Sequence, residues 1–235
     1  MRLSATERKA QILKTAAQLF AEQGYEGTKT SQIAREAGVN EAIIFRHFTN
    51  KEELYWAVLA DMSSTRRGTE RLRAIVSSDA APEQVLEQLA SDILGRNFAD
   101  PKWWRLLLYA ALENHKLSHR FYRSHASGYY EELATYIRNQ ARLGVFRTDV
   151  DPVIAARGFI GMIIYHFQIQ ELFGGKTVQN IDVQTVSRTF AQLWANALCA
   201  SSTAKPLPNG NGHANPLPTG GDLERAETRA MGRSS

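Results

Sequence analysis

Apolar positions recur three and four apart from residue 12 onward, punctuated by glycine, asparagine and proline, and this rhythm predicts helices along most of the chain. Ile12, Leu13, Ala16, Leu19 and Phe20 make one stripe. Ser4 and Glu7 open it at capping-box spacing, Gly24 closes it, and Tyr25 stands where it can fold back on the same face. Ile33, Ala34 and Ala37 mark a second, shorter helix, ended by Gly38, the residue that most readily takes left-handed backbone. Asn40 can then cap a third helix that turns Ile43, Ile44 and Phe48 inward. Asn50 and Glu53 offer a further cap, and Leu54, Ala57 and Val58 carry the stripe into a fourth helix.

Beyond Val58 the helix punctuation continues. Pro82 suits a first helical position, followed by the stripe Val85, Leu86, Leu89 and Ile93. Asp100-Pro101 and Asp151-Pro152 both pair a capping acid with proline. Helices are expected over Trp103 to Glu113, Ser118 to Leu143, Pro152 to Phe173 and Asp182 to Cys199. No strand alternation stands out, so the fold class read from the pattern is all-α. From Ser201 the chain turns rich in Pro, Gly, Asn and Ser with almost no apolar content. Such a segment buries too little surface to offset its ordering entropy, so 201–235 reads as a disordered tail.

Helix, glycine turn, helix over Thr30 to Lys51 is the unit that lays its second helix in the DNA major groove. A net charge of +4 and a pI near 9.2 suit a nucleic-acid partner, although the basic residues are spread along the chain. A single cysteine, Cys199, excludes an intramolecular disulfide and favours a reducing cytoplasm. Its neighbours Leu193, Trp194, Ala197 and Leu198 suggest a buried thiol rather than a redox sensor. The start of the chain reads as a capped amphipathic helix rather than a signal peptide. The longest apolar stretch, Val153 to Ile169, contains Arg157 and His166 and is short for a span, so it reads as a core helix and no membrane partner is expected.

Three segments in fixed order carry more than the helix-turn-helix alone: A-x-x-L-F-A-x-x-G-Y, then T-x-x-I-A-x-x-A-G-V, then F-x-x-K-E-x-L. Over about the first 60 residues the chain resembles the N-terminal domain of the tetracycline-repressor (TetR) family. The resemblance implies a three-helix DNA-binding domain over 1–55, a helical effector-binding and dimerisation domain over 56–200, and about nine helices. It places Thr30, Ser31 and Gln32 at the DNA, with Asn40, Glu41, Ala42, Phe45, Arg46 and His47 on the reading helix. Lys51 matches a residue that neutralises a phosphate. Each of these types is also ordinary on a solvated surface. Glu41 departs from the family's neutral or basic residue, so it either accepts from a cytosine amino group or points away. Phe45 replaces a frequent tyrosine. Phosphate affinity then leans on Arg46, Lys51, Lys29, Arg8 and Lys9, and Arg46 is the candidate for guanine readout.

In the family the last two helices pair with a partner's in a four-helix bundle. That implies a homodimer here through Phe159, Ile163, Phe167, Phe190 and Trp194, with Gly158 and Gly161 permitting close helix approach. Two reading helices then suit a palindromic operator. The middle helices enclose an effector pocket in the family. Their aromatic residues nominate Trp103, Phe121, His125 and Tyr129, with Met162 and His166 from the later helix, although a packed core has the same composition.

His115 and His119, with Glu113 and His125 nearby, raise a metal site. Leu117-Ser118 is expected to break the helix between them, and no Cys or acidic partner completes a set. No cofactor is implied. No nucleophile–base set, Gly-rich loop or catalytic carboxylate pair argues for an enzyme. The sequence supports a cytoplasmic, homodimeric transcriptional regulator, most simply a repressor released by a small hydrophobic or aromatic effector. The rival is a DNA-binding regulator without an effector, whose C-terminal domain only dimerises or binds a protein.

Overall fold

A computed structural model describes residues 4–113 and 115–199. The tail expected over 201–235 lies outside the described residues, which contain helices and no β-strand. Phe146 and Cys199 form an isolated antiparallel bridge. The helices are α1 (Ala5–Gly27), α2 (Thr30–Glu36), α3 (Glu41–His47), α4 (Lys51–Arg66), α5 (Gly68–Val76) and α6 (Pro82–Ala99). They continue as α7 (Lys102–Glu113), α8 (His115–Phe121), a π turn (Tyr122–Ala126), α9 (Ser127–Arg142), α10 (Pro152–Glu171), the one-turn α11 (Gly175–Val178) and α12 (Val183–Leu198).

Most of the expected caps form, but Asp100 ends α6 rather than capping α7. Ser4 Oγ accepts from the Glu7 N–H while Glu7 accepts from the Ser4 N–H, and Asn40, Asn50, Asp151 and Asp182 each cap the helix that follows. Gly38 sits at φ 62 between α2 and α3, as the turn requires. Gly24, at φ 76 and ψ 178, breaks α1, and one further turn follows it.

Two buried clusters form. In the first, Ile12, Leu19 and Phe20 of α1 meet Ile33, Ile44, Leu54 and Tyr55 of α2 to α4. Tyr25 does fold back, stacked on Phe20 and edge-on to Tyr55. Trp103, Leu106 and Ala110 of α7 and Leu117 of α8 complete the same cluster. Hence the first core extends through α4 into α7, and residues 55 and 56, the expected border, are neighbours inside one helix. The second cluster joins α5, α6, α9, α10 and α12, with Phe159, Ile163 and Phe167 at its centre. Each such side chain contributes roughly 1.5–3 kcal/mol by leaving water.

Three expectations need correction. Cys199 is exposed, because it caps the end of α12 rather than lying on its inner stripe. α8 runs through Leu117 and Ser118 without a break, because Leu117 is anchored in the first core. Phe159, Ile163 and Phe167 are fully buried in the chain's own core, so they offer nothing to a partner. The outward faces of α10 and α12 instead carry Ile154 (70% exposed), Tyr165 (64%) and Leu193 (58%). α10 has the length and mean hydropathy (1.3) of a membrane span, and here packs on α6, α9 and α12.

Candidate nucleic-acid interface and effector cavity

α3 owes its orientation to Ile44, buried beneath it, so the opposite side of the helix faces outward. Ser31, Asn40, Ala42, Phe45 and Arg46 are exposed, while Gln32, Glu41, His47 and Lys51 are half-buried. Arg46 enters no ion pair or hydrogen bond among the described residues, which leaves its planar fork free. Asn40 spends its carbonyl on the Ala42 N–H and keeps its amide donors. Lys51 lies 4.3 Å from the Tyr25 ring centroid, and burial lowers its pKa.

Thr30 and Glu41 hold each other. Thr30 Oγ1 donates to Glu41 Oε1 at 2.6 Å, tying the start of α2 to the start of α3. The hydroxyl expected at a phosphate is thus engaged, and the carboxylate that breaks the family pattern has a neighbour to accept from. Sequence reasoning missed this pair because the two residues stand eleven apart, across the turn.

α7 joins this reading head to the rest of the chain by four hydrogen bonds. Tyr55 Oη donates to the Leu106 carbonyl at 2.6 Å, and Arg105 Nε donates to the Ala21 carbonyl at 2.7 Å. The Tyr25 and Glu26 N–H groups donate to Glu113 Oε2 at 2.6 and 3.0 Å. A Cβ on Gly24 would stand 2.5 Å from the Glu113 carboxylate.

Where the end of α4 meets α5, α6, α7, the π turn, α9 and α10 there is a cavity of about 280 Å³. Four of the expected pocket residues, Trp103, Phe121, His125 and Tyr129, line it. The π turn stacks His125 on Phe121, ring centroids 5.3 Å apart, and Trp103 meets Phe121 edge-on. Burial lowers the His125 pKa and pushes the Tyr129 phenol up to about 12, so both are neutral at pH 7.

Met162 and His166 do not line the cavity. α10 presents Ile160 and Ile164 there, and the neighbouring positions point elsewhere, His166 against Phe190 of α12 at 5.9 Å. Arg66, Arg96, Asn97 and Trp104 line the cavity unanticipated. The two arginines come from different helices, α4 and α6, and nothing local in the sequence marks them for a shared cavity. Among the described residues no group of three His, Cys, Asp or Glu is placed to hold a metal.

Comparison with known proteins agrees with this geometry. Residues 12–58 match the sequence model for bacterial regulatory proteins of the tetR family, and residues 84–192 match that for the C-terminal domain of AefR-like transcriptional repressors. The chain is 41% identical over 58 residues to the HTH-type transcriptional activator FasR of Mycolicibacterium smegmatis, a stretch covering 25% of this chain and 26% of that protein. The chain thus matches about a quarter of that relative's length. The fold resembles a TetR-family transcriptional regulator from Mesorhizobium loti, with a TM-score of 0.68 at 20% identity over 85% of this chain and 100% of that one. It also resembles the transcriptional regulator FadR from Bacillus subtilis in complex with stearoyl-CoA, with a TM-score of 0.67 at 20% identity over 80% and 98% of the two chains. Matched in both its reading head and its helical body, the chain belongs to the TetR family of bacterial regulatory proteins.

Proposed function

We propose that this protein is a cytoplasmic, homodimeric transcriptional repressor that binds a palindromic operator and is released by a small effector in the cavity. The observation that carries the reading is the path of α4. Its first turn belongs to the reading head, with Leu54 and Tyr55 buried under α1 to α3, and its last turn, Ser63 to Arg66, lines the cavity. A ligand that shifts the last turn therefore shifts the head.

The exposed side of α3, led by Arg46, reads base edges, and Ser31, Lys29 and Lys51 serve the backbone. Residues 1–55 act as the reading head and 56–200 as the effector and dimer body. The outward apolar faces of α10 and α12 pair with their copies, which sets two heads one or more DNA turns apart. The effector acts by linkage: it weakens DNA binding by its differential affinity for the two head spacings. The match to an AefR-like repressor domain and the acyl-CoA bound by the Bacillus subtilis neighbour support repression and a ligand. The rival without an effector needs a solid body, and the cavity between α7 and α9 favours the inducible reading.

A mobility shift of the purified protein on the DNA upstream of its own gene, across a salt series, tests the DNA-binding part. A retarded band with a steep salt dependence is expected. Arg46→Ala should weaken it by about 1–3 kcal/mol, roughly 5- to 150-fold. Unchanged binding by Arg46→Ala would remove α3 as the reader.

A further inference from the structure

The cavity carries polar chemistry that a purely apolar effector would leave unused. Arg66, the last residue of α4, reaches it half-buried, and its guanidinium donates to the Asn97 carboxamide oxygen and lies 5.5 Å from the Trp103 ring centroid. No carboxylate stands within ion-pair distance of Arg66 among the described residues. The next guanidinium, Arg96, shares Asp92 with Arg71: the carboxylate accepts from Arg96 Nε at 2.9 Å and Nη2 at 2.7 Å, and from Arg71 Nε at 2.7 Å. On the rim Arg67 pairs with Glu70. Arg66 therefore has no carboxylate partner, against a wall where burying charge is costly.

Burial, and then the neighbouring Arg96, lower the Arg66 pKa to about 10, and the more distant Asp100 and Asp92 offset this only in part. An anion is the missing partner. On the aromatic side Trp104 Nε1 and His125 Nδ1 are buried without a hydrogen-bond partner, and the buried Tyr129 phenol has only the Arg96 guanidinium beside it. A finished core rarely leaves such groups together around one space.

We propose that the effector is a small organic acid with a single negative charge, its carboxylate held by Arg66 beside Arg96 and its body laid against Trp103, Phe121 and His125. This assignment rests on the effector reading above and adds the ligand's chemistry to it. One charge is specified because, of the described arginines lining the cavity, Arg66 is the one with no carboxylate partner. The volume sets the size: about 280 Å³ equals roughly nine water molecules at ~30 Å³ each, room for a ring with a short side chain. An oxygen substituent on the body would meet Tyr129 and Trp104. The carboxylate takes Arg66 in the paired N–H geometry that guanidinium favours, and in doing so engages the end of α4 itself.

The test uses two probes of equal shape, 3-phenylpropionate and 3-phenylpropionamide, titrated into the full chain by calorimetry, with tryptophan fluorescence reporting occupancy near Trp103 and Trp104. The acid should bind at least about tenfold tighter than the amide, the gain of one charge-assisted contact. Arg66→Gln should abolish the preference, and Arg66→Lys, which keeps the charge, should retain part of it. Operator binding by each variant shows that it is folded. Equal binding of acid and amide, or a preference that survives Arg66→Gln, overturns the anion assignment and leaves the effector cavity standing. Binding of neither probe also overturns it and favours the rival without an effector. Failure to bind DNA would count against the regulator reading alone.

Discussion

Gly24 and Thr30 show how single residues set the reading head. Gly24 holds φ 76 with ψ 178, a region open to glycine alone, and Glu113 occupies the space a side chain would need. Gly24→Ala should therefore cost about 1–3 kcal/mol in urea unfolding, from backbone strain and displacement of the Glu113 carboxylate. The glycine was legible as a helix end, but the carboxylate above it was not, because that partner lies in a different helix. Glu41 was visible as an oddity on a DNA-facing helix, and its bond to Thr30 explains how it is tolerated. Glu41→Gln keeps an oxygen for Thr30 while removing a charge that repels phosphate. Operator and nonspecific DNA should both bind more tightly, by about 1 kcal/mol or roughly fivefold at low salt, measured by mobility shift. Equal affinity would mean that the carboxylate stands clear of the backbone.

At the scale of the helix, periodicity located the elements and left their faces ambiguous. α10 is apolar nearly all round, so its sequence did not say which stripe faces the chain's own core. Phe159, Ile163 and Phe167 went inward, and the outer stripe is Ile154, Gly158, Gly161 and Tyr165. Gly158 is needed by the chain itself, since a Cβ there would come within 2.8 Å of the Trp194 ring, while Gly161 is open to an incoming helix. On α12 Leu193 is the exposed large apolar side chain, while Phe190 and Trp194 are half-buried. Leu193→Glu should halve the mass in sedimentation, because a charge buried without a partner costs several kcal/mol across a symmetric interface that meets it twice. A dimer of unchanged strength would place the interface elsewhere. Met162 and His166 erred for the same reason as the phenylalanines: residue type was read correctly, direction was not.

Over the whole molecule, the reading head was the most legible part, because its caps, turn and stripe all fall within one local stretch. The cavity was half legible. Its aromatic wall follows from composition, whereas Arg66 and Arg96 come from separate helices and meet only when the chain is folded. Least visible was the seam along α7. Each of its four hydrogen bonds pairs a side chain with a main-chain group: Tyr55 with the Leu106 carbonyl, Arg105 with the Ala21 carbonyl, and Glu113 with the Tyr25 and Glu26 N–H groups. Peptide groups are the same whatever residue carries them. The joint therefore asks little of the head beyond a tyrosine and a glycine, and little of the body beyond an arginine and a glutamate. Exposed residues on α3 and wall residues around the cavity are free to change independently, so under the proposed function new operators and new effectors could be combined without rebuilding the connection between them.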